Sequence, residues 1–200
     1  MIYIFDLGGV LIRNNDPLER VAEMLGFPDV ERFLEKLREP FVRHCTGAIS
    51  AEDFWREANT LLGTSVTENL WETEYRADVD PCVAEIIGLL RRKHRRVVAG
   101  TNTLDAHYRY HVEHGHFDLF DSVYASHLVG SLKPDPAFYR HILEAEDVAP
   151  SDALFVDDME ENVVAAREIG IAAVRFTDCA TLRRTLRDYN GLGKSTEERP

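Results

Sequence analysis

Twice in this chain a short apolar run ends in an aspartate, and that repetition limits the fold more than any other feature. Ile2 to Phe5 leads into Asp6 and the turn Gly8-Gly9, and Ala153 to Val156 leads into Asp157 and Asp158. A four-residue run without polar alternation reads as a strand covered on both faces, as in a parallel sheet. In such sheets ligands bind in the crevice at the carboxyl ends of the strands. Two strands delivering carboxylates there can share one hard cation, such as Mg²⁺, through oxygen ligands. A metal-assisted reaction is therefore the first expectation.

Further strands are expected at Val97 to Gly100, Val123 to Ala125 and Ala172 to Phe176. A helix starts at Pro81 and carries Val83, Ile86, Ile87, Leu89 and Leu90 to a basic end, Arg91 to Arg96. Others run from Leu104 to His114, Ala137 to Glu146, Glu161 to Ile169 and Leu182 to Tyr189. Strand and helix in alternation predict an α/β fold with a doubly wound, Rossmann-like parallel sheet. The first crossover is different. About ninety residues separate the Asp6 strand from the Val97 strand, against roughly 30 for a whole βαβ unit. Most of that stretch reads as helix: Pro17 to Leu25, Val30 to Arg38, Ser50 to Leu62 and Glu68 to Tyr75, with Ser50 and Asp53 spaced as an N-terminal capping signal. The expected organisation is an α/β core from 1–13 and 80–190, a helical cap at 14–79 acting as a lid over the strand ends, and a flexible tail at 191–200.

Composition narrows the function. A formal net charge of −12 argues against a nucleic-acid partner, which calls for basic patches. No apolar run approaches the roughly 18 residues of a membrane span. The amino terminus lacks the basic region of a signal peptide, and Asp6 interrupts its apolar stretch. Cys45, Cys82 and Cys179 lie far apart without zinc-type spacing, which predicts reduced thiols and a cytoplasmic setting.

The candidate site gathers four segments. Asp6, at a strand end, can attack phosphorus and form an aspartyl phosphate. The amides from Leu7 through Gly8 to Gly9 can cradle phosphate oxygens. Thr101 and Asn102 offer a hydroxyl and an amide for phosphate, or cap the following helix, or both. Lys133, in Lys133-Pro134-Asp135-Pro136, can neutralise nucleophile and phosphoryl group. Asp157 is expected to ligate metal directly, with Asp158 supporting it through water or orienting Lys133. Each segment alone also has a plain reading as a surface turn, a helix cap or a solvated charge. His107, His111 and His114 have helical i, i+4, i+7 spacing and, with His116, suggest zinc; a polar helix face interleaved with Tyr108 and Tyr110 is the plainer reading. Phe54, Trp55 and Trp71 read as cap core.

Taken in order, Asp6, Thr101, Lys133 and Asp157-Asp158 resemble the haloacid dehalogenase superfamily, across essentially the whole chain. FDLGGVL, GTNT, GSLKPDPAFY and FVDDMEENV are similar to small bacterial sugar-phosphate phosphatases, including α-glucose-1-phosphate phosphatases, and more distantly to the phosphatase domain of soluble epoxide hydrolases. The resemblance implies a Mg²⁺-dependent phosphomonoester hydrolase acting on a small phosphorylated metabolite, expected to be a sugar phosphate. It implies Asp6 as nucleophile, a metal held by Asp6, Asp157 and the carbonyl of Gly8, phosphate held by Thr101 and Asn102, and Lys133 bridging the two. One position departs. Phosphatases of this superfamily usually carry an acid/base aspartate two residues after the nucleophile, where this chain has Gly8. Loss of a general acid costs on the order of 10²- to 10⁴-fold in rate. The substrate then has a good leaving group, or a cap residue such as His44 or Asp53 substitutes, or the protein is a weak enzyme or a binding protein. A 2-haloacid dehalogenase shares the fold but needs no cation and usually has a tyrosine at position 8.

Overall fold

A computed structural model of the chain describes residues 1–14 and 16–189. The chain runs β1 (Ile2–Phe5), β2 (Ile12–Arg13), α1 (Leu18–Met24), α2 (Val30–Cys45), α3 (Ala51–Leu62), α4 (Leu70–Thr73), β3 (Asp78–Val79), α5 (Pro81–Arg92) and β4 (Arg96–Thr101). It continues through α6 (Asp105–Glu113), β5 (Ser122–Ala125), α7 (Ser126–Val129), α8 (Pro136–Ala145), β6 (Ala153–Asp157), α9 (Glu160–Glu168), β7 (Ala172–Arg175) and α10 (Cys179–Asp188). The expected tail at 191–200 lies outside the described residues.

Five strands form one parallel sheet in the order β5-β4-β1-β6-β7. The chain builds outward from β1 on one side, then crosses to the other, so β1 sits at the reversal point where a crevice opens beyond the strand ends. Phe5 is in register with both Ala99 and Val156. That register places the residues after β1, the end of β4 and the end of β6 side by side.

Alternation along the strands feeds two cores. Tyr3, Phe5, Val97, Ala99, Leu154 and Val156 face Val83, Ile86, Ile87 and Leu90 of α5 and Leu182 and Leu186 of α10. Ile2, Ile4, Val98, Ala153 and Phe155 face Phe138, Tyr139 and Ile142 of α8 and Val163 and Ala166 of α9. Both faces being covered explains why these strands carry no polar alternation. Asp80 caps α5 through Cys82 N and Val83 N, with Pro81 in its first turn.

Helices α1 to α4 bury a third cluster of their own, built on Phe33, Phe54, Trp55 and Trp71, so the three aromatics read as cap core do pack there. Ser50 caps α3 by accepting from Asp53 N at 3.1 Å. Helix α2 does not stop at Arg38 but runs through Pro40 to Cys45. An interior proline costs a helix about 3 kcal/mol, yet Phe33, Leu37, Pro40 and His44 share one buried face, and that burial outweighs it. The helical segment enters and leaves through the antiparallel pair β2–β3, clipped by an Arg13–Asp80 ion pair at 2.8 Å. Two-residue strands carry no periodicity, so this pair was not foreseen.

The expected reduced thiols are corrected. Cys82 and Cys179 form a disulfide joining the first turns of α5 and α10, 97 positions apart in sequence, and Cys45 is free and buried. With Cys82 and Cys179 bridged, cysteine usage gives no ground for a cytoplasmic setting. Among the described residues no helix is long and apolar enough to cross a membrane. Because the bridge closes a long loop, Cys179→Ser is expected to lower unfolding free energy by about 2–4 kcal/mol in urea titrations. An unchanged midpoint and slope would show that α10 docks without it.

Candidate active site

Lys133 lies at the centre of the crevice. Its Nζ meets Asp6 Oδ1 at 2.8 Å and Asp157 Oδ2 at 2.7 Å. All three side chains are buried, Asp157 completely. Asp6 follows β1, its amide donating to Val156 O at 2.9 Å, and its Oδ1 also accepts from Leu7 N at 2.7 Å. Both oxygens of Asp157 are occupied, because Oδ1 accepts from Met159 N at 2.9 Å and Asn162 Nδ2 at 3.0 Å. Buried Asn162 is fixed in turn by Tyr139, whose hydroxyl donates to its carbonyl at 2.9 Å.

Lys133 reaches this point because Asn102 holds its backbone. Asn102 Nδ2 donates to Lys133 O at 2.9 Å, and Asn102 Oδ1 accepts from Lys133 N at 2.8 Å. The loop after β4 is thus tied to the loop between α7 and α8. A cis peptide joins Lys133 to Pro134. Thr101, at the end of β4, is buried and makes only a 3.4 Å contact from its hydroxyl to Asn102 O.

The cluster is short of positive charge. Carboxylate oxygens of Asp6, Asp157 and Asp158 lie within 4.8 Å of one another, against one ammonium. Burial pushes the Asp6 carboxyl well above its ordinary range, and Lys133 only partly reverses this. Burial, then the neighbouring Asp157, raises Asp158 as well. Burial alone would lower the Lys133 ammonium, but Asp6 and Asp157 more than offset it and hold it above its usual value. Three converging oxygen donors with uncompensated charge suit a hard divalent cation. Gly9, at φ +71°, makes room for the third, since a Cβ there would collide with the Asp158 carboxylate.

Residues 1–170 match the haloacid dehalogenase-like hydrolase family. The chain belongs to that family. It is 29% identical over 192 residues to a sesquiterpene phosphatase, astK, of Aspergillus oryzae, covering 94% of this chain and 95% of that protein. It is 26% identical over 196 residues to a D-ribitol-5-phosphate phosphatase of Bacteroides thetaiotaomicron, covering 92% and 95%. A haloacid dehalogenase family enzyme of Bacteroides thetaiotaomicron, solved with magnesium and inorganic phosphate, superposes with a TM-score of 0.72 at 25% identity, covering 90% of this chain and 98% of that one. The chain is an enzyme of this family, of the phosphatase kind.

The haloacid dehalogenase-like geometry brings Asp6, Thr101, Lys133, Asp157 and Asp158 to one crevice, and it corrects three expectations. First, Lys133 is held by Asp157, not Asp158, and Asp157 has no oxygen without a protein donor. Second, the side chain of Asn102 is engaged by Lys133 at both ends instead of being free for phosphate. Third, the amides of Leu7 and Gly9 are occupied, by Asp6 Oδ1 and by Ile12 O at 3.0 Å, which leaves the Gly8 amide from that expected nest. His44 and Asp53 lie elsewhere. His44 stacks on Phe54 and approaches Ile49 O, while Asp53 pairs with Ser50 and Arg56. Nor do the helix histidines converge as a ligand set. His107 Nε2 meets Trp71 O, His111 bridges the Tyr75 hydroxyl and His116 Nδ1, and His114 Nδ1 meets Tyr110 O. Asn162 and the clamping role of Asn102 were missed; in sequence both look like residues near a helix start.

Asn102→Ala removes both bonds that set the Lys133 backbone. A small displacement of a catalytic group costs about 10²-fold, so kcat is expected to fall by that order with the fold intact by circular dichroism. A kcat within twofold of the parent would show that the loop holds Lys133 without Asn102.

Proposed function

We propose that this phosphatase is a metal-assisted phosphomonoester hydrolase that works through an aspartyl phosphate on Asp6. The Lys133 bridge between Asp6 and Asp157 carries the reading. It orients the nucleophile through Oδ1 and leaves Oδ2 directed to the substrate's phosphorus. Thr101 Oγ1 and the Gly8 amide donate to phosphoryl oxygens, and the Lys133 ammonium balances charge as the ester bond breaks; with Gly8 at the acid/base position, the leaving alkoxide takes its proton from water. Water then hydrolyses the aspartyl phosphate and regenerates Asp6. Phosphoryl transfer depends on positioning and charge neutralisation above all, and a rigid, buried lysine supplies both.

Mg²⁺ is the proposed cation, held by Asp6, Asp158 and the Gly8 carbonyl. When bound it polarises the phosphoryl oxygens and offsets the excess carboxylate charge. Asp158 takes the ligand role first assigned to Asp157, because Asp157 is committed to Lys133, Met159 and Asn162. A related enzyme with magnesium and phosphate supports this choice of metal. Helices α1 to α4 are proposed to close over the crevice and exclude bulk water.

The substrate is a small phosphorylated metabolite. The relatives' names include both a polyol phosphate and a terpenoid as the phosphatase's target, so a sugar phosphate is one of two chemistries to weigh. Gly8 gives a binding-protein reading its one foothold, and a carboxylate cluster suited to a cation weighs against a dehalogenase.

Asp6→Asn is expected to abolish phosphate release with Mg²⁺ present while the protein stays folded; substantial turnover would remove Asp6 as nucleophile. The two later aspartates should separate in calorimetry. Asp158→Asn weakens Mg²⁺ binding with little change in stability, whereas Asp157→Asn leaves Lys133 to Asp6 alone, disturbs the bonds to Met159 N and Asn162, and lowers stability measurably while Mg²⁺ still binds. The reverse pattern would return the ligand role to Asp157.

A further inference from the structure

A cavity of about 330 Å³ lies between the α1–α4 helices and the core and opens onto the catalytic loops, since Asn102, Thr103 and Leu132 line it. That is the low end of the roughly 300–1,000 Å³ range of ligand clefts. Its other walls are mainly hydrocarbon: Leu18, Leu34, Phe41, Val42, Trp71 and Leu104. Among the described residues no lysine or arginine is on the lining.

The few polar side chains there are already engaged. Asn102 is bonded at both ends by the Lys133 backbone. His107 gives Nε2 to Trp71 O at 2.8 Å and stacks on Tyr75, and burial lowers its pKa to about 4, so its ring is neutral at pH 7. Thr103 Oγ1 is in contact with Leu104 O, and Asp16 accepts from Leu18 N at 2.8 Å. The buried indole N–H of Trp71 has no partner among the described residues. A polyol placed here would bury several hydroxyls against mainly hydrocarbon walls, with the exposed Asp16 carboxylate as its open acceptor, and each unpaired hydroxyl is costly. A hydrocarbon would lose nothing of that kind and would cover the exposed side chains of the wall.

We infer that this cavity receives the leaving group, and that the preferred substrate is the monophosphate of an apolar, hydrocarbon alcohol, not of a sugar or polyol. The inference rests on the phosphatase reading and extends it to substrate class.

The test compares kcat/KM for citronellyl phosphate and ribitol 5-phosphate, both primary alkyl esters, with acetyl phosphate as a reference that has almost no leaving-group body. One missing methylene in a hydrophobic pocket is worth about 10- to 200-fold, so citronellyl phosphate is expected to lead by at least about tenfold. Leu34→Asn, at a half-buried wall position, is expected to reduce the citronellyl-to-acetyl ratio by a similar factor. Equal or better turnover of ribitol 5-phosphate overturns the inference and leaves the phosphatase reading standing. If no ester, nitrophenyl phosphate included, releases phosphate, the phosphatase reading falls and binding alone decides. Citronellol is then titrated against tryptophan fluorescence in the parent protein and in Trp71→Phe. Saturable quenching lost in the variant sustains an apolar pocket, and no quenching in the parent overturns it.

Discussion

Everything in the crevice depends on one buried ammonium shared by two carboxylates. Lys133 Nζ lies 2.8 Å from Asp6 and 2.7 Å from Asp157, where water cannot screen the charges. Such an arrangement is worth its desolvation cost only if every partner is fixed and hydrogen-bonded. The structure meets that condition from three sides. Asn102 fixes the lysine backbone, Asn162 and Met159 N complete Asp157, and Leu7 N completes the inner oxygen of Asp6. The parallel sheet matters to function because its register brings these groups together.

Much of this was legible in the sequence, for a physical reason. Strands buried on both faces appear as unbroken apolar runs, so β1, β4, β5, β6 and β7 were expected within about a residue of where they lie. The aspartates ending two of them marked the crevice. What stayed hidden needs the third dimension. Adjacent strand residues point to opposite sides, which says that Asp157 and Asp158 differ but not which one meets Lys133. Asn102 reads as a helix cap until the Lys133 loop is brought beside it. Cys82 and Cys179 are 97 positions apart and meet only because α5 and α10 pack on the same face of the sheet. The helix expected to end at Arg38 runs on through Pro40 to Cys45, because the burial that outweighs a proline's local cost is not visible in sequence.

Helices α1, α2 and α4 and the loops that carry Asn102 and Leu132 line one cavity, which would tie specificity to chemistry if the helices close over the crevice as proposed. Asn102 both clamps Lys133 and lines the cavity bounded by Leu34, Phe41 and Trp71, so filling the cavity and fixing the lysine are coupled through one side chain. This coupling bears on Gly8. Where no aspartate stands ready to protonate the leaving alcohol, catalysis relies more on exact placement of the phosphoryl group, and an apolar body held against the cap is one way to supply that placement.

In the proposed mechanism Asp6 itself carries the phosphoryl group during turnover. Acid quenching of the Mg²⁺-loaded enzyme within the first turnover, followed by peptide mass spectrometry, tests it directly. The account predicts an acid-stable, base-labile phosphate on the peptide containing Asp6, absent in Asp6→Asn. Steady phosphate release with no phosphorylated peptide at any quench time would contradict it and point to direct attack by water.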